Sequence, residues 1–155
     1  MALYHFSVRH VSRGKGQMVV ASAAYIFGQR IFDSYYNKIH DYTSKSGVVF
    51  TEILTPEYVP ERLTDRETLW NEVEHVERNN KAQLAYSFDI ALQNELTLEE
   101  NIRMAKEFCQ EQFVARGMIV DLAVHEGKSD NEEEPDNPHF HMLVPLRPFT
   151  EEGIW

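Results

Sequence analysis

The sequence contains a single cysteine, Cys109, among its 155 residues. One cysteine excludes an intramolecular disulfide, so the fold must be stabilised by a buried core, which a chain of this length can form. Proteins without disulfides are typical of a reducing compartment. We therefore expect Cys109 to pack in the core of a cytoplasmic protein, with residues 1–155 forming one domain.

Long apolar runs are also missing. No run approaches the roughly 20 residues that a membrane-spanning helix needs. The N-terminus lacks the order of basic, apolar and small residues that is typical of a signal peptide. The sequence therefore predicts a soluble chain with no membrane span.

Basic residues are scarce, with 15 against 25 acidic ones and a formal net charge of −10. Proteins that bind nucleic acids usually have a basic surface, so this charge disfavours binding of DNA by the whole surface. The shortage is uneven, because residues 1–50 contain six basic and only two acidic side chains. We predict phosphate contacts from this segment, with these candidates: Arg9, Arg13, Lys15 and Arg30. Residues 13–16 predict a flexible basic loop or, equally, an ordinary exposed turn.

Two histidines, His139 and His141, stand two positions apart in a predicted strand over residues 138–146. Side chains at this spacing lie on one face, about 7 Å apart. Residues 118–125 predict the preceding strand of a hairpin, which would place His125 beside His139. One such histidine is more often a half-buried polar residue, but three on one face predict a metal site.

The rest of the chain alternates between strand and helix patterns. Capping boxes at Thr64–Glu67 and Thr97–Glu100 predict the starts of two helices, and Gly117 predicts the end of the second. An alanine-rich run predicts an earlier helix over residues 19–32. Alternating apolar residues predict strands over these ranges: 3–8, 47–54 and 83–92. This order predicts an α+β fold, a mostly antiparallel sheet with helices covering one face and the active site on the other.

The open face of this sheet is predicted to carry polar side chains. The strand alternation assigns to it, besides the three histidines, these residues: His5, Ser7, Ser87, Asp89 and Asp121. A three-histidine site with open coordination positions is typical of a catalytic metal, which can polarise a phosphoryl oxygen for attack.

The attacking group is either water or Tyr25. Tyr25 follows small residues in the alanine-rich helix, which leaves its hydroxyl accessible unless the tyrosine is simply part of the core. Asp89 could orient a ligating histidine or accept the tyrosine proton, and Asp121 could do the same.

Several segments resemble the relaxase domain of the MobA/MobL mobilisation family. They are LYHFSVRHVSRGKG, ASAAY, HDYTSKSGVV, PERLTDRETLWNEVE, AVHEG and NPHFHMLVPLR. The resemblance covers nearly the whole chain and keeps the order of the motifs. It implies a DNA strand transferase of the His-hydrophobe-His class, with a relaxase/Rep-like two-layer sandwich, that nicks one strand at a plasmid transfer origin.

The resemblance also implies roles for residues. Tyr25 would become joined to the 5′ phosphate of the nicked strand, and His125, His139 and His141 would hold Mg²⁺ or Mn²⁺. The implied partners are single-stranded DNA of a transfer origin and other relaxosome or conjugation proteins. The chain would be a nuclease domain truncated at its C-terminus. Ser87 departs from the family, whose members often carry acids at the positions of both Ser87 and Asp89, and the loop over residues 126–136 is longer and more acidic than usual.

Two other functions fit the sequence. Attack by water would make the protein a metal-dependent hydrolytic endonuclease with no covalent intermediate. The excess of acidic side chains in residues 51–155 and the departure at Ser87 would suit a non-catalytic DNA-binding or regulatory module with a vestigial metal site.

Overall fold

The computed structural model describes residues 5–155. Its strands are β1 (Phe6–Ser12), β2 (Arg30–Asp33), β3 (Lys38–Asp41), β4 (Val48–Leu54), β5 (Gln83–Ala91), β6 (Val120–His125) and β7 (His139–Pro145), and its helices are α1 (Val19–Phe27), α2 (Arg66–Val76) and α3 (Leu98–Gln112). Five strands form a sheet in the order β1-β5-β7-β6-β4, and β2 pairs with β3 as a separate hairpin. Every strand pairing is antiparallel.

Helices cover both faces of the five-stranded sheet. Ala23 of α1 and Leu69 of α2 share one buried cluster with Ala123, whereas Cys109 of α3 shares another with Leu122. Leu122 and Ala123 are neighbours on β6, so they point to opposite faces. The predicted α+β class and mostly antiparallel sheet are confirmed. The detail that helices cover only one face is corrected, because α1 and α2 share the face that carries the histidines.

The helix α1 is shorter than the alanine-rich run predicted. It ends at Phe27 because Gly28 adopts a left-handed conformation, with φ of 63°, and its backbone N–H bonds to the carbonyl of Ala24. The residues that follow form the β2 strand instead of a further helical turn. This early end leaves Tyr25 in the last turn of α1.

The two predicted capping boxes had different outcomes: one lies at the start of α3, and the other is one residue away from the start of α2. The Thr97–Glu100 box is confirmed at the start of α3. At α2 the N-cap is Asp65, one residue after the predicted Thr64, whose hydroxyl donates to the carbonyl of Glu61 in a preceding 3₁₀ turn. Gly117, predicted to end α3, closes a 3₁₀ turn that follows the helix. Among residues 5–155, no helix is long and apolar enough to cross a membrane.

Cys109 lies in the core between α3 and the sheet, as predicted. Burial raises the pKa of its thiol to about 12. The thiol is therefore protonated at neutral pH and acts as a packing residue, with its sulfur 3.2 Å from the sulfur of Met142.

The predicted basic loop at residues 13–16 is a 3₁₀ turn that anchors two helices. The Arg13 side chain is buried, and it donates hydrogen bonds to the Glu74 carboxylate of α2 and to two backbone carbonyls just after that helix. Glu74 also accepts a hydrogen bond from the backbone N–H of Val19, the first residue of α1. The prediction of Arg13 as a DNA contact is therefore corrected, whereas Lys15 in the same turn is exposed.

Replacing Arg13 by Met would leave the carboxylate of Glu74 buried without its cation. Breaking a buried ion pair in this way costs about 3–5 kcal/mol, and we expect that fall in the free energy of unfolding, measured with urea and circular dichroism. Lys15→Met removes an exposed charge from the same turn and should change stability little. Equal stability of the two variants would contradict the anchoring role of Arg13.

Candidate active site

The β6–β7 hairpin brings three histidines together. Its register pairs His125 with His139 and Ala123 with His141, as the hairpin prediction required. Phe140 and the other intervening residues of β7 point into the opposite core. The ligand atoms of the three histidines lie within 4.8 Å of one another, and the ring centroids are 4.6–5.0 Å apart.

The ring nitrogens of this cluster fit a metal ion. The Nε2 atom of His125 is buried and has no hydrogen-bond partner in the described part of the chain. The Nδ1 atom of His139 donates to the carbonyl of Asn137 at 2.8 Å, which leaves its Nε2 as the atom with a free lone pair. A buried nitrogen without a partner is costly unless a ligand satisfies it. Imidazoles oriented by backbone carbonyls are the usual arrangement of metal-binding histidines.

Two of the three histidines, His125 and His141, are uncharged at neutral pH. Burial, together with repulsion from the neighbouring histidines and from Lys45, lowers the pKa of each of these two rings to about 4. Metal binding requires the neutral imidazole, so these rings do not have to lose a proton before they bind an ion at pH 7.

Tyr25 is exposed and lies at the end of α1 nearest the histidines. Its residue exposure is 55%, so the interpretation of Tyr25 as a core residue is excluded. The backbone of the next residue, Ile26, lies beside the ring of His125 and acts to raise its pKa, against the larger effect of burial. The Tyr25 ring packs edge-on against Tyr42, with centroids 5.3 Å apart. The fold therefore ties the helix end that carries the phenol directly to the candidate metal ligands.

The structure adds Lys45 to the site, a residue that the sequence analysis counted only as part of the basic segment. Its Nζ donates to the backbone carbonyl of Tyr25 at 2.9 Å and lies 3.9 Å from the centroid of the Tyr25 ring. Its charge also contributes to the lowered pKa of His125 and His141. Only its place in the segment HDYTSKSGVV, which resembles the relaxases, could have drawn attention to it.

The two candidate acids occupy different environments. Asp89 pairs across the sheet with His141, and it lines a cavity of about 150 Å³ together with His5 and His139. One Asp89 oxygen lies 3.9 Å from a ring nitrogen of His5, and the other is buried without a hydrogen-bond partner in the described residues.

Asp121 is on the same face by strand alternation but lies under α2. It accepts two hydrogen bonds from Arg66, both at 2.7 Å, and one from the indole N–H of Trp70. Asp121 is fully buried, so the alternative that it serves as the functional acid is corrected.

Three of the four basic residues predicted to contact DNA are exposed. Arg9 pairs with Ser87 across the sheet, which places it on the histidine face at the β1 edge. Lys15 follows the end of the same strand, and Arg30 begins β2, 3.8 Å from Asp41. The exception, Arg13, is buried against Glu74 of α2.

This fold and site define an α+β protein with a solvent-facing candidate metal centre of three histidines and an adjacent tyrosine. The sequence model of the MobA/MobL family matches residues 17–155, and the chain belongs to this family. Among curated proteins it is 37% identical to "Conjugal transfer protein TraA" of Agrobacterium fabrum, over 99% of this chain and 14% of that protein. It is 31% identical to "Mobilization protein MobL" of Acidithiobacillus ferridurans, over 100% of this chain and 41% of that protein.

A solved structure shares the fold. It is described as "Molecular Basis of Vancomycin Resistance Transfer in Staphylococcus aureus", and one of its chains superposes with a TM-score of 0.86. The two sequences are 38% identical, and the similarity covers 97% of this chain and 74% of the other. The chain spans about one seventh of the length of TraA, so the similarity concerns one part of that larger protein.

Titration with Mn²⁺ tests the histidine cluster as a metal site. We expect one ion per chain by isothermal titration calorimetry, and at least about tenfold weaker binding after His141→Asn, since changes to residues that only hydrogen-bond the metal ligands already weaken metal sites by that amount. His10 is exposed on the opposite face of the sheet, so His10→Asn is the matched control. Unchanged binding by the His141 variant would contradict the assignment.

The lowered pKa values of His125 and His141 predict a pH-dependent stability of the metal-free protein. The unfolded histidines, with an ordinary pKa of 6.5, take up protons before the folded ones, whose pKa is about 4. Stability is therefore present above pH 6.5 and is lost as the pH falls towards 4. Urea midpoints at several pH values should show this slope, and the double variant His125→Asn/His141→Asn should flatten it. An equal slope in both proteins would contradict the burial of neutral rings.

Proposed function

We propose that this chain is the nicking domain of a DNA relaxase, which cuts one strand at the transfer origin of a plasmid or mobile element and becomes covalently joined to it. The observation that supports this most directly is the exposed Tyr25 on a helix end that lies beside a cluster of three histidines. The names of its relatives refer to conjugal transfer and mobilisation, which supports DNA transfer as the process in which the chain acts.

The proposed step is a transesterification at phosphorus. The Oη atom of Tyr25 attacks the phosphodiester, the bond between Oη and phosphorus forms, and the bond from phosphorus to the 3′ oxygen breaks. The phenol proton passes to a base, and the 3′ oxygen takes up one proton to become a hydroxyl. Because one phosphate diester replaces another, the reverse reaction rejoins the strand without a nucleotide cofactor.

The chain's own residues position the nucleophile. The Arg13–Glu74 pair holds the start of α1, and the contact of Ile26 with His125 holds its end. A phenol that is held in place before DNA binds loses little freedom on reaching the transition state.

The histidines His125, His139 and His141 would hold a divalent ion, and we propose Mn²⁺ or Mg²⁺. When bound, such an ion supplies Lewis-acid polarisation of a phosphoryl oxygen. Asp89 is the acid that we propose for proton transfer, since one of its oxygens has no partner among the described residues and it lines the cavity beside His139.

The proposed partner is single-stranded DNA of a transfer origin, contacted by the exposed residues Arg9, Lys15 and Arg30. Three exposed cations need only a local basic surface, so these contacts are compatible with a net charge of −10. We further propose that residues 1–155 act as one nuclease domain, that it works in the cytoplasm, and that other relaxosome or conjugation proteins bind the larger assembly.

Covalent capture tests this function. Single-stranded oligonucleotides of randomised sequence, labelled at the 3′ end, are incubated with the protein and Mn²⁺ and analysed on a denaturing gel. We expect a labelled protein adduct that Tyr25→Phe abolishes, because the phenol oxygen forms the bond. Tyr42→Phe, which removes the hydroxyl of the ring packed on Tyr25, should still form the adduct.

Two other results would reject the proposal. Cleavage without an adduct, unchanged by Tyr25→Phe, would indicate a hydrolytic endonuclease. DNA binding with no cleavage under any divalent ion would indicate a regulatory module with a vestigial metal site.

A further inference from the structure

Lys45 is a half-buried cation beside the proposed nucleophile, and it has no ion pair among residues 5–155. An ammonium has three N–H donors. One of them bonds to the carbonyl of Tyr25, and the others have no partner in the described part of the chain. The charge lies over the Tyr25 ring, 3.9 Å from its centroid.

A structural role explains only part of this arrangement. A lysine that bonds the carbonyls at a helix C-terminus stabilises the helix, and Lys45 does so at the end of α1. Burial, however, disfavours the charged form and lowers the pKa of Lys45, and no carboxylate in the described part of the chain pairs with the ammonium to offset that cost. By contrast, Lys106 on α3 reaches the carboxylate of Glu52 at 2.9 Å. The unpaired charge of Lys45 therefore suits an anion that arrives with the substrate.

We propose that Lys45 binds a non-bridging oxygen of the scissile phosphodiester and offsets the negative charge that the Tyr25 oxygen acquires as its proton leaves. This inference rests on the proposed relaxase function, which makes a phosphodiester the anion next to Tyr25. A lysine ammonium is a compact charge on a flexible stem, so it can bond the helix end and a phosphate at once. Lys45 keeps its proton throughout, and the bonds formed and broken are those of the transesterification.

The first experiment measures the single-turnover rate of adduct formation on an oligonucleotide recovered from the wild-type adduct. Loss of one charged donor at a reacting phosphate should slow the reaction of Lys45→Met by about 100–1,000-fold. Lys45→Arg keeps the charge and should recover part of that rate. Lys106→Met makes the same charge change on α3, on the other face of the sheet, and should react at the wild-type rate. Equal rates for Lys45→Met and the wild type would overturn the inference.

The second experiment measures DNA binding in the absence of cleavage. Binding of an oligothymidylate of about twenty nucleotides is followed by fluorescence anisotropy in EDTA at several salt concentrations. Each phosphate contact to single-stranded DNA contributes about 0.7 to the slope of log K against log salt, so Lys45→Met should lower the slope by about that amount and Lys106→Met should not. A slope unchanged by Lys45→Met would indicate a purely structural lysine and overturn the inference. If the wild type forms no adduct, the proposed function fails, while the salt slope still decides whether Lys45 contacts phosphate.

Discussion

The antiparallel pairing of β6 with β7 is the interaction on which the candidate site depends. Its register sets His125 opposite His139 and leaves His141 one pair further along the same face. A slip of one residue would turn a whole strand over, because side chains alternate between faces. The core beneath α3 prevents that slip, since Phe140 and its apolar neighbours on the other face are buried there. The metal geometry is therefore a consequence of hydrophobic packing on the opposite side of the sheet.

The candidate site also depends on the position of α1, the helix that carries Tyr25. Both ends of this helix contact distant parts of the chain. The backbone N–H of Val19 donates to Glu74, and the backbone of Ile26 lies beside the ring of His125. Because the sheet and α2 hold those partners, Tyr25 is placed by the whole histidine-side core. Its phenol nevertheless stays exposed, as the proposed attack on a DNA strand requires.

The charge at the candidate site is set by individual side chains and differs from the net charge of the chain. The net charge of −10 alone would argue against DNA, yet His125 and His141 are neutral, Asp121 is paired with Arg66, and Lys45 has no ion pair within residues 5–155. Half-buried charges are screened less than exposed ones, so Lys45 acts on an anion beside Tyr25 more strongly than exposed acidic side chains at a similar distance do. The arrangement of charges, and not their sum, is what suits a phosphodiester.

The α+β class, the hairpin and the shared face of the three histidines could be anticipated from the sequence, because strand alternation and helix signals are properties of neighbouring residues, whereas the sequence left open whether Tyr25 is exposed or part of the core. Four features could not: helices on both faces, the burial of Arg13, the pairing of Asp121 and the position of Lys45. Arg13 meets Glu74 across 61 residues, Asp121 meets Arg66 across 55, and Lys45 meets Tyr25 across 20. Alternation tells which face a side chain occupies, but only the packing of distant segments decides what covers that face and which charges meet there.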